Sequence, residues 1–476
     1  MTQRAVSLKD AVLYLIALPL AILLCIGLLR WTFAAQRNSA SSQFNQPTES
    51  ALPFPPPEME SDASERSPRL PILGAWAITS LATNGDDFLN NLNERRKRPI
   101  PDELLTDEQG FPVLSGRVEH LDTSFVSHQL LHTASILALK NSLFPAEARD
   151  ALLRTLALLE CILEQVAYDW PLSPIDTIDS AADHIPTLGG ILSPVAGSAK
   201  ELSLRVKLLI SEELELHERD AVQDYLAKRL TAYKIPAPQL KIDVIAAGEN
   251  ISAIMLAEEF RIEALDESRS ESPQALLLLA AFSALCTTIT DRWGVEGRLF
   301  DSRRPNGLMP GEAAFAVLCA NEKALESASA APICYMGRVI HAQRETNAAT
   351  KTSSECLVST IGAALDATDI SGDAIGAVVC DADHRTSRTL ESIEAMLSQT
   401  PRLDAIQNRF AINEACGHLG AASVLGVLAT GVIQSGNTDR PVLLFNVSHP
   451  TERVAAILTH ANSHDAASRS QQLQAA

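Results

Sequence analysis

From Cys334 onward the hydrophobic period of the chain switches repeatedly, and this alternation restricts the fold more than any other feature of the sequence. An apolar stretch at 334–341 is followed by an amphipathic segment at 353–367 and a strand-like run at 374–380. Residues 387–398 have the pattern of a second helix, 409–413 of a short strand, and 417–433 of a third, largely apolar helix. Two more apolar runs, 442–447 and 453–458, close the pattern with only a few turn residues between them. The predicted order is β-α-β-α-β-α-β-β. Strands alternating with helices require a mainly parallel sheet with right-handed crossovers, to which the closing pair adds one antiparallel strand.

An earlier α/β half is expected between 70 and 318. It opens with the apolar PILGAWAIT and continues through helical patterns at 127–140 and 149–164. A Pro- and Asp-interrupted stretch at 169–186 and a charged stretch at 199–233, read as helical, make it less regular, and periodicity alone assigns no topology there.

Residues 11–29 carry no charge, a length that crosses a bilayer core of about 30 Å as a helix. Pro19 within the run is tolerable in a membrane helix. The run is longer than a usual signal-peptide core and no A-x-A cleavage site follows it, so it is read as an anchor. Arg4 and Lys9 before it are matched by Arg30 and Arg37 after it, so charge bias sets no orientation. The following Ser, Pro, Gln and Glu residues, with PFPPPE at 53–58, cannot pack a core and form a tether. The expected organisation is a tail at 1–10, a transmembrane helix at 11–31, a tether at 36–69, α/β halves at 70–330 and 331–461, and a tail at 462–476.

With 46% hydrophobic and 20% charged residues, the rest of the chain has ordinary globular composition and enough length for a large core. Its 39 basic and 58 acidic residues leave a net charge of -19, which repels a phosphate backbone and argues against nucleic-acid binding. The cysteines are scattered, with no C-x-x-C pair and no His at ligand spacing, so no metal site is expected. They read as buried free thiols of a reducing compartment, which places the soluble part on the cytoplasmic side of an inner membrane.

Three segments, in order, carry a family likeness. ILGAWAITSLATNGDDFLNNLNERRKRPI (72–100) has a strand, a small polar turn and a helix. LFDSRRPNGLMPGEAAFAVL (299–318) resembles an F-D-x-x-R-D-G-F-x-x-G-E-G-A run with one inserted residue, and brings Asp301, Arg303, Arg304, Gly307, Gly311 and Glu312. ACGHLGAASVLGVLATGVIQSG (415–436) resembles a G-H-x-x-G-A-A-G segment with Gly417 and His418. Together they are similar to the β-ketoacyl synthases of the thiolase superfamily across roughly 70–460. The resemblance implies two similar α/β halves stacked as a five-layer α-β-α-β-α sandwich, usually a homodimer, with no cofactor.

Condensing enzymes of this family use a thiolate at a helix N-terminus, where the helix dipole lowers the thiol pKa and backbone N–H groups form an oxyanion hole. Here the matching segment is LKIDVIAAGENISAIMLAEEF, and alignment puts Ala247 or Gly248 where the Cys belongs. Cys286 lies too near the Gly-Glu run and reads as core; Ser252, one turn into the helix, reads as a packing or capping residue. His384 in DADHRTS resembles the family's H-G-T-x segment, with Arg385 in place of its glycine. His418 matches the second active-site histidine, while the expected lysine is Asn413. The family's closing loop N-S-F-G-F-G-G, which gates the pocket and lends backbone donors, is replaced by NVSHPTE with Asn446, Ser448 and His449. Glu312, Arg303 and Arg304 are expected to stabilise the surface between halves or subunits.

Loss of the nucleophile removes covalent catalysis, so condensation is not expected. Two functions remain: a catalytically silent, membrane-tethered scaffold or adaptor with protein partners, or an acyltransferase- or decarboxylase-type enzyme in which His384 and His418 polarise the carbonyl of an acyl thioester. Divergent ketosynthase-like proteins without the active-site cysteine are also encoded near type VI secretion genes in Gram-negative bacteria, and the resemblance admits that context. Partnership with an active synthase as a chain-length factor is a third possibility.

Overall fold

Apolar residues on both faces make Leu70–Thr79 (β1) a strand covered on both sides. The computed structural model describes residues 69–94, 98–131, 146–172, 201–214, 216–235, 239–248, 252–265, 272–344 and 354–462. The apolar run at 11–29, the tether before residue 69 and the tail from 463 lie outside them; among the described residues no helix is long and apolar enough to cross a membrane.

Asn84 accepts the Asp87 N–H at 2.9 Å and so starts helix α1 (Gly85–Glu94), which buries Phe88, Leu89 and Leu92. A hairpin, β2 (Ile100–Thr106) and β3 (Pro112–Ser115), and helices α2 (Thr123–Leu131) and α3 (Ala146–Tyr168) follow. Next come β4 (Ser203–Ser211), α4 (Leu216–Ala232), β5 (Gln239–Ala247), α5 (Ser252–Leu265), β6 (Gln274–Ser283), α6 (Thr287–Val295), β7 (Glu312–Ala320) and α7 (Glu322–Ala328). The stretch read as a charged helix thus begins with a strand. In SLRVKLLIS, Leu204, Val206 and Leu208 are buried while Arg205 and Lys207 alternate with them, a period of two that the neighbouring charged helix obscures. The second half comprises β8 (Cys334–Met336), β9 (Ile340–Gln343), α8 (Glu355–Thr368), β10 (Ala377–Cys380), α9 (Thr386–Gln399), β11 (Arg409–Ala411), the short α10 (Ile412–Cys416), α11 (Ser423–Gly436), β12 (Val442–Phe445) and β13 (Glu452–His460).

The strand order β5-β4-β6-β7-β1 runs third, second, fourth, fifth, first among the long strands of the first half, and β11-β10-β12-β13-β8 repeats that rule in the second. In each half the fifth strand is antiparallel to its neighbours while the second, third and fourth are parallel. The halves join where β8 pairs with both β1 and β13.

Alternation along the strands fills three cores. Leu276, Leu278 and Ala280 of β6 and Val442 and Leu444 of β12 face a central core shared with α5 and α11. Leu277 and Leu279 face an outer core under α3 and α4, and Leu443 and Phe445 face the other outer core under α8 and α9. The result is helix, sheet, helix, sheet, helix. Strands buried on both faces read as continuous apolar runs, which is why all nine residues of β7 are buried.

Candidate functional site

Ala247 is the last residue of β5, 2% exposed within the central core that also holds Phe282, Trp293 and Leu419. Its carbonyl accepts the Glu212 N–H at 3.2 Å, and a Cβ on Gly248 would stand 3.0 Å from the Glu212 carboxylate. Ser252 opens α5. A strand thus delivers residue 247 toward a helix, but its methyl group offers no nucleophile. Burial, full or partial, keeps six of the seven described thiols from substituting for it. Burial pushes the Cys286 thiol up despite its place at the N-terminus of α6, and it pushes Cys416 up to about 12. Burial likewise raises Cys161, Cys319, Cys334 and Cys380, so these groups hold their protons at neutral pH.

The two histidines stand against different aromatic rings. His418 meets Phe282 and Trp293 edge-on at ring-centre distances of 5.8 and 5.3 Å, and its backbone N–H donates to the Met309 carbonyl at 2.7 Å. His384 meets Phe300 at 5.2 Å and lines a cleft of about 420 Å3 with Met309, Leu390 and Glu414 among its walls. Burial lowers the His384 pKa, so the ring is neutral at pH 7. Neither Ala247 nor His418 lines that cleft.

A different constellation gathers around Asn413 and Ser448. Asn413 donates to the hydroxyls of Ser423 at 2.8 Å and Ser448 at 3.4 Å, and Ser448 donates to the Asp381 carbonyl at 2.7 Å. The fully buried Asp381 carboxyl accepts the N–H groups of Val447 at 2.5 Å and Ser448 at 3.1 Å. Asn446 accepts the Val454 N–H at 2.6 Å, and the His449 ring accepts the Glu452 N–H at 2.9 Å. The 446–452 loop is therefore pinned along its length, and two of its backbone donors are already consumed by a carboxylate. Burial pushes Asp381 up to about 6. Sequence reasoning missed this residue, quoting it only as part of the DADHRTS segment around His384. The available signal was its place next to a strand apolar on both faces, where a carboxylate emerges into the interior.

The Gly-Glu and Gly-His segments meet backbone to backbone. Gly116 bridges Gly311, and Pro310 bridges His418. A Cβ on Gly311 would lie 2.4 Å from the Cys416 carbonyl oxygen, and one on Gly417 2.9 Å from that of Met309. Glu312, fully buried, accepts the Val118 N–H and the Ser283 hydroxyl, each at 2.8 Å, and pairs with Arg154 of α3. Asp301 caps its own turn by accepting the N–H groups of Arg303 and Arg304 at 2.7 Å, while Gly307 packs against the backbone of Leu299. Packing thus accounts for these motif residues. Gly417 also has φ +79, so Gly417→Ala is expected to cost about 2 kcal/mol. Urea denaturation checks this; an unchanged midpoint would refute the close contact.

No protein-family model matches the sequence, and no curated protein matches it. Solved structures do. The ishigamide ketosynthase/chain length factor aligns with TM-score 0.52 and 14% identity, covering 83% of this chain and 99% of that one. The ketosynthase from module 6 of the bacillaene synthase from Bacillus subtilis 168 aligns at 0.51 and 15%, covering 83% and 72%. A β-ketoacyl synthase from Burkholderia phymatum STM815 aligns at 0.50 and 11%, covering 82% and 99%. With the repeated strand order and the five layers, these alignments establish that the chain has the thiolase-type fold of the β-ketoacyl synthases.

Proposed function

We propose that this chain is a membrane-anchored β-ketoacyl-synthase-like protein that does not condense acyl groups and serves as a scaffold or adaptor. The observation that carries this reading is the corner at Ala247: a buried methyl group stands at the position aligned with the nucleophile, and the closing loop that would gate a pocket is pinned by Asp381 and Asn446. Intact-mass spectrometry after incubation with acyl-thioester donors tests it. No adduct and no turnover are expected; an adduct or turnover would overturn it. With the loop pinned, Ala247→Cys is expected to remain unacylated too; acylation of that variant would mean that a substrate pocket persists.

The anchor rests on the uncharged run at 11–29, with the soluble part assigned to the cytoplasmic side of the inner membrane. Resistance to carbonate extraction and protease accessibility in membrane vesicles check these two points. We further propose a homodimer. The strand β5 ends the sheet path, its residues are largely half-exposed, and pairing with a second copy would satisfy its outer backbone groups. A type VI secretion context is tested by co-purification of the tagged full chain with secretion components.

One observation favours a second reading, an acyltransferase- or decarboxylase-type activity on acyl thioesters. Burial lowers the His384 pKa and the residue lines a cleft; its Nε2 is buried, so polarising a carbonyl there requires the ring to turn toward the cleft. Loss of carbon dioxide from a malonyl thioester, abolished in His384→Ala, would support it.

A further inference from the structure

The loop that follows α6 carries Arg298, Arg303 and Arg304, and the start of α9 brings Arg385 beside them, so that four guanidinium groups line one cleft of about 430 Å3. No Asp or Glu is among its lining residues. Three of the arginines pair with a carboxylate that is not among the lining residues: Arg298 with Glu296 at 3.3 Å, Arg304 with Asp301 at 3.8 Å and Arg385 with Asp383 at 2.6 Å. The Arg303 guanidinium has no ion-pair partner among the described residues. The cleft therefore carries an excess of positive charge on a chain whose net charge is -19. At physiological salt the screening length is about 8 Å, so the local array, not the distant acidic surface, sets the field felt inside the cleft.

The array is built before any ligand arrives. The N–H groups of Arg303 and Arg304 are held on Asp301, the Arg304 guanidinium donates to the Gly294 carbonyl at 2.8 Å, and Gly307 is wedged against the backbone of Leu299 and Phe300. Arg385 is fixed at the N-terminus of α9 by donating its backbone N–H to Asp383 at 2.9 Å and its Nε at 2.7 Å. Planar guanidinium forks suit the oxygens of a phosphate, which they engage in pairs, and the two forks of Arg304 and Arg385 are already held in place by their own hydrogen bonds.

We propose that this cleft is a binding site for a phosphate-bearing anion, with a diphosphate group or a phosphomonoester as its occupant. It goes beyond the proposed function, which assigns no ligand to these arginines, although Arg385 directly follows His384 in the chain.

The probes are inorganic pyrophosphate and, to distinguish a free phosphate from a lipid headgroup, dihexanoyl phosphatidic acid below its micelle concentration, each titrated by calorimetry into the detergent-solubilised full chain. Saturable binding at one site per chain is expected. Arg303→Ala is expected to weaken it by about tenfold or more, as loss of charged hydrogen bonds does. Arg402→Ala, which removes an exposed arginine paired with Asp373 outside the cleft, is expected to leave it unchanged. Binding of pyrophosphate through Arg303 supports a free phosphate ligand, and binding of the lipid alone through Arg303 supports a headgroup. Absence of saturable binding by both probes, or an equal loss in both variants, overturns the proposal.

Discussion

Glu391→Gln is expected to destabilise the fold by about 3–5 kcal/mol, the range for breaking a buried ion pair by removing one partner. Glu391 is 1% exposed, and its carboxylate receives Arg453 in a two-pronged contact at 2.6 and 2.9 Å, with Arg388 and Arg344 at 3.7 and 3.8 Å. Arg453 is itself fully buried and also donates to the carbonyls of His449 and Glu452 at 2.7 and 2.6 Å. Neutralising Glu391 leaves three guanidinium groups without their shared anion. Burial and the neighbouring cations Arg385 and Arg453 already lower the Arg388 pKa, which marks how little compensation is in reserve. Arg453→Met, which keeps most of the volume, removes one cation of three and leaves the carboxylate with Arg388 and Arg344; its expected cost is smaller. Urea denaturation of both variants at pH 7 gives the order. A milder effect for Glu391→Gln than for Arg453→Met would show that the carboxylate is not the centre of the cluster. Hydrogen exchange of the 446–452 amides should speed up in Arg453→Met, because that arginine holds two of the loop's carbonyls.

This cluster also shows where sequence reasoning stops. The second half was legible because each strand and helix is short, uniform in period and bounded by turn residues. The predicted run 353–367 became α8, 387–398 became α9, and the closing apolar runs became the antiparallel pair β12 and β13. The helix expected from residue 417 starts at Ser423 instead, because Gly417 and Gly420 adopt positive φ and the chain must first pass Gly311 and Phe282 at close range. In the first half β4 was hidden by the charges of Arg205 and Lys207, which lie on the partly exposed side of a central parallel strand. The site was less legible than the fold, since a lone Asp381, Glu391 or Arg453 gives no periodic signal and only the tertiary fold places Val447, Ser448 and Arg453 around two strand and helix ends. Family likeness led to His384, His418, Asn413 and Ser448 but not to Asp381, on which the buried hydrogen bonds of Val447 and Ser448 converge.

Asp381 gives the pinned loop a pH signature. Its carboxyl has an ordinary value of 3.8 and is pushed up to about 6 in the fold, chiefly by burial, with Asp383 adding to the rise while the N–H groups of Val447 and Ser448 and the charge of Arg453 oppose it. Below about pH 4 the group is protonated in folded and unfolded chains alike and contributes no difference. Between pH 4 and 6 the folded chain holds the proton more tightly, so stability falls as pH rises, and above pH 6 the full penalty of a buried ionised carboxylate persists. A shift of this size corresponds to about 3 kcal/mol. Asp381→Asn retains an oxygen to accept the Val447 and Ser448 N–H groups but does not titrate. The expected result is that the wild-type chain loses about 2 kcal/mol more than Asp381→Asn between pH 4 and 7 in matched urea denaturations, since contributions from distant groups cancel in the difference. Parallel stability curves would mean that Asp381 keeps an ordinary carboxylate pKa, and the loop would then be held by a charge fully compensated by its two amides and Arg453. A wild-type curve that rises relative to the variant would mean that those partners outweigh burial and hold Asp381 ionised well below pH 4.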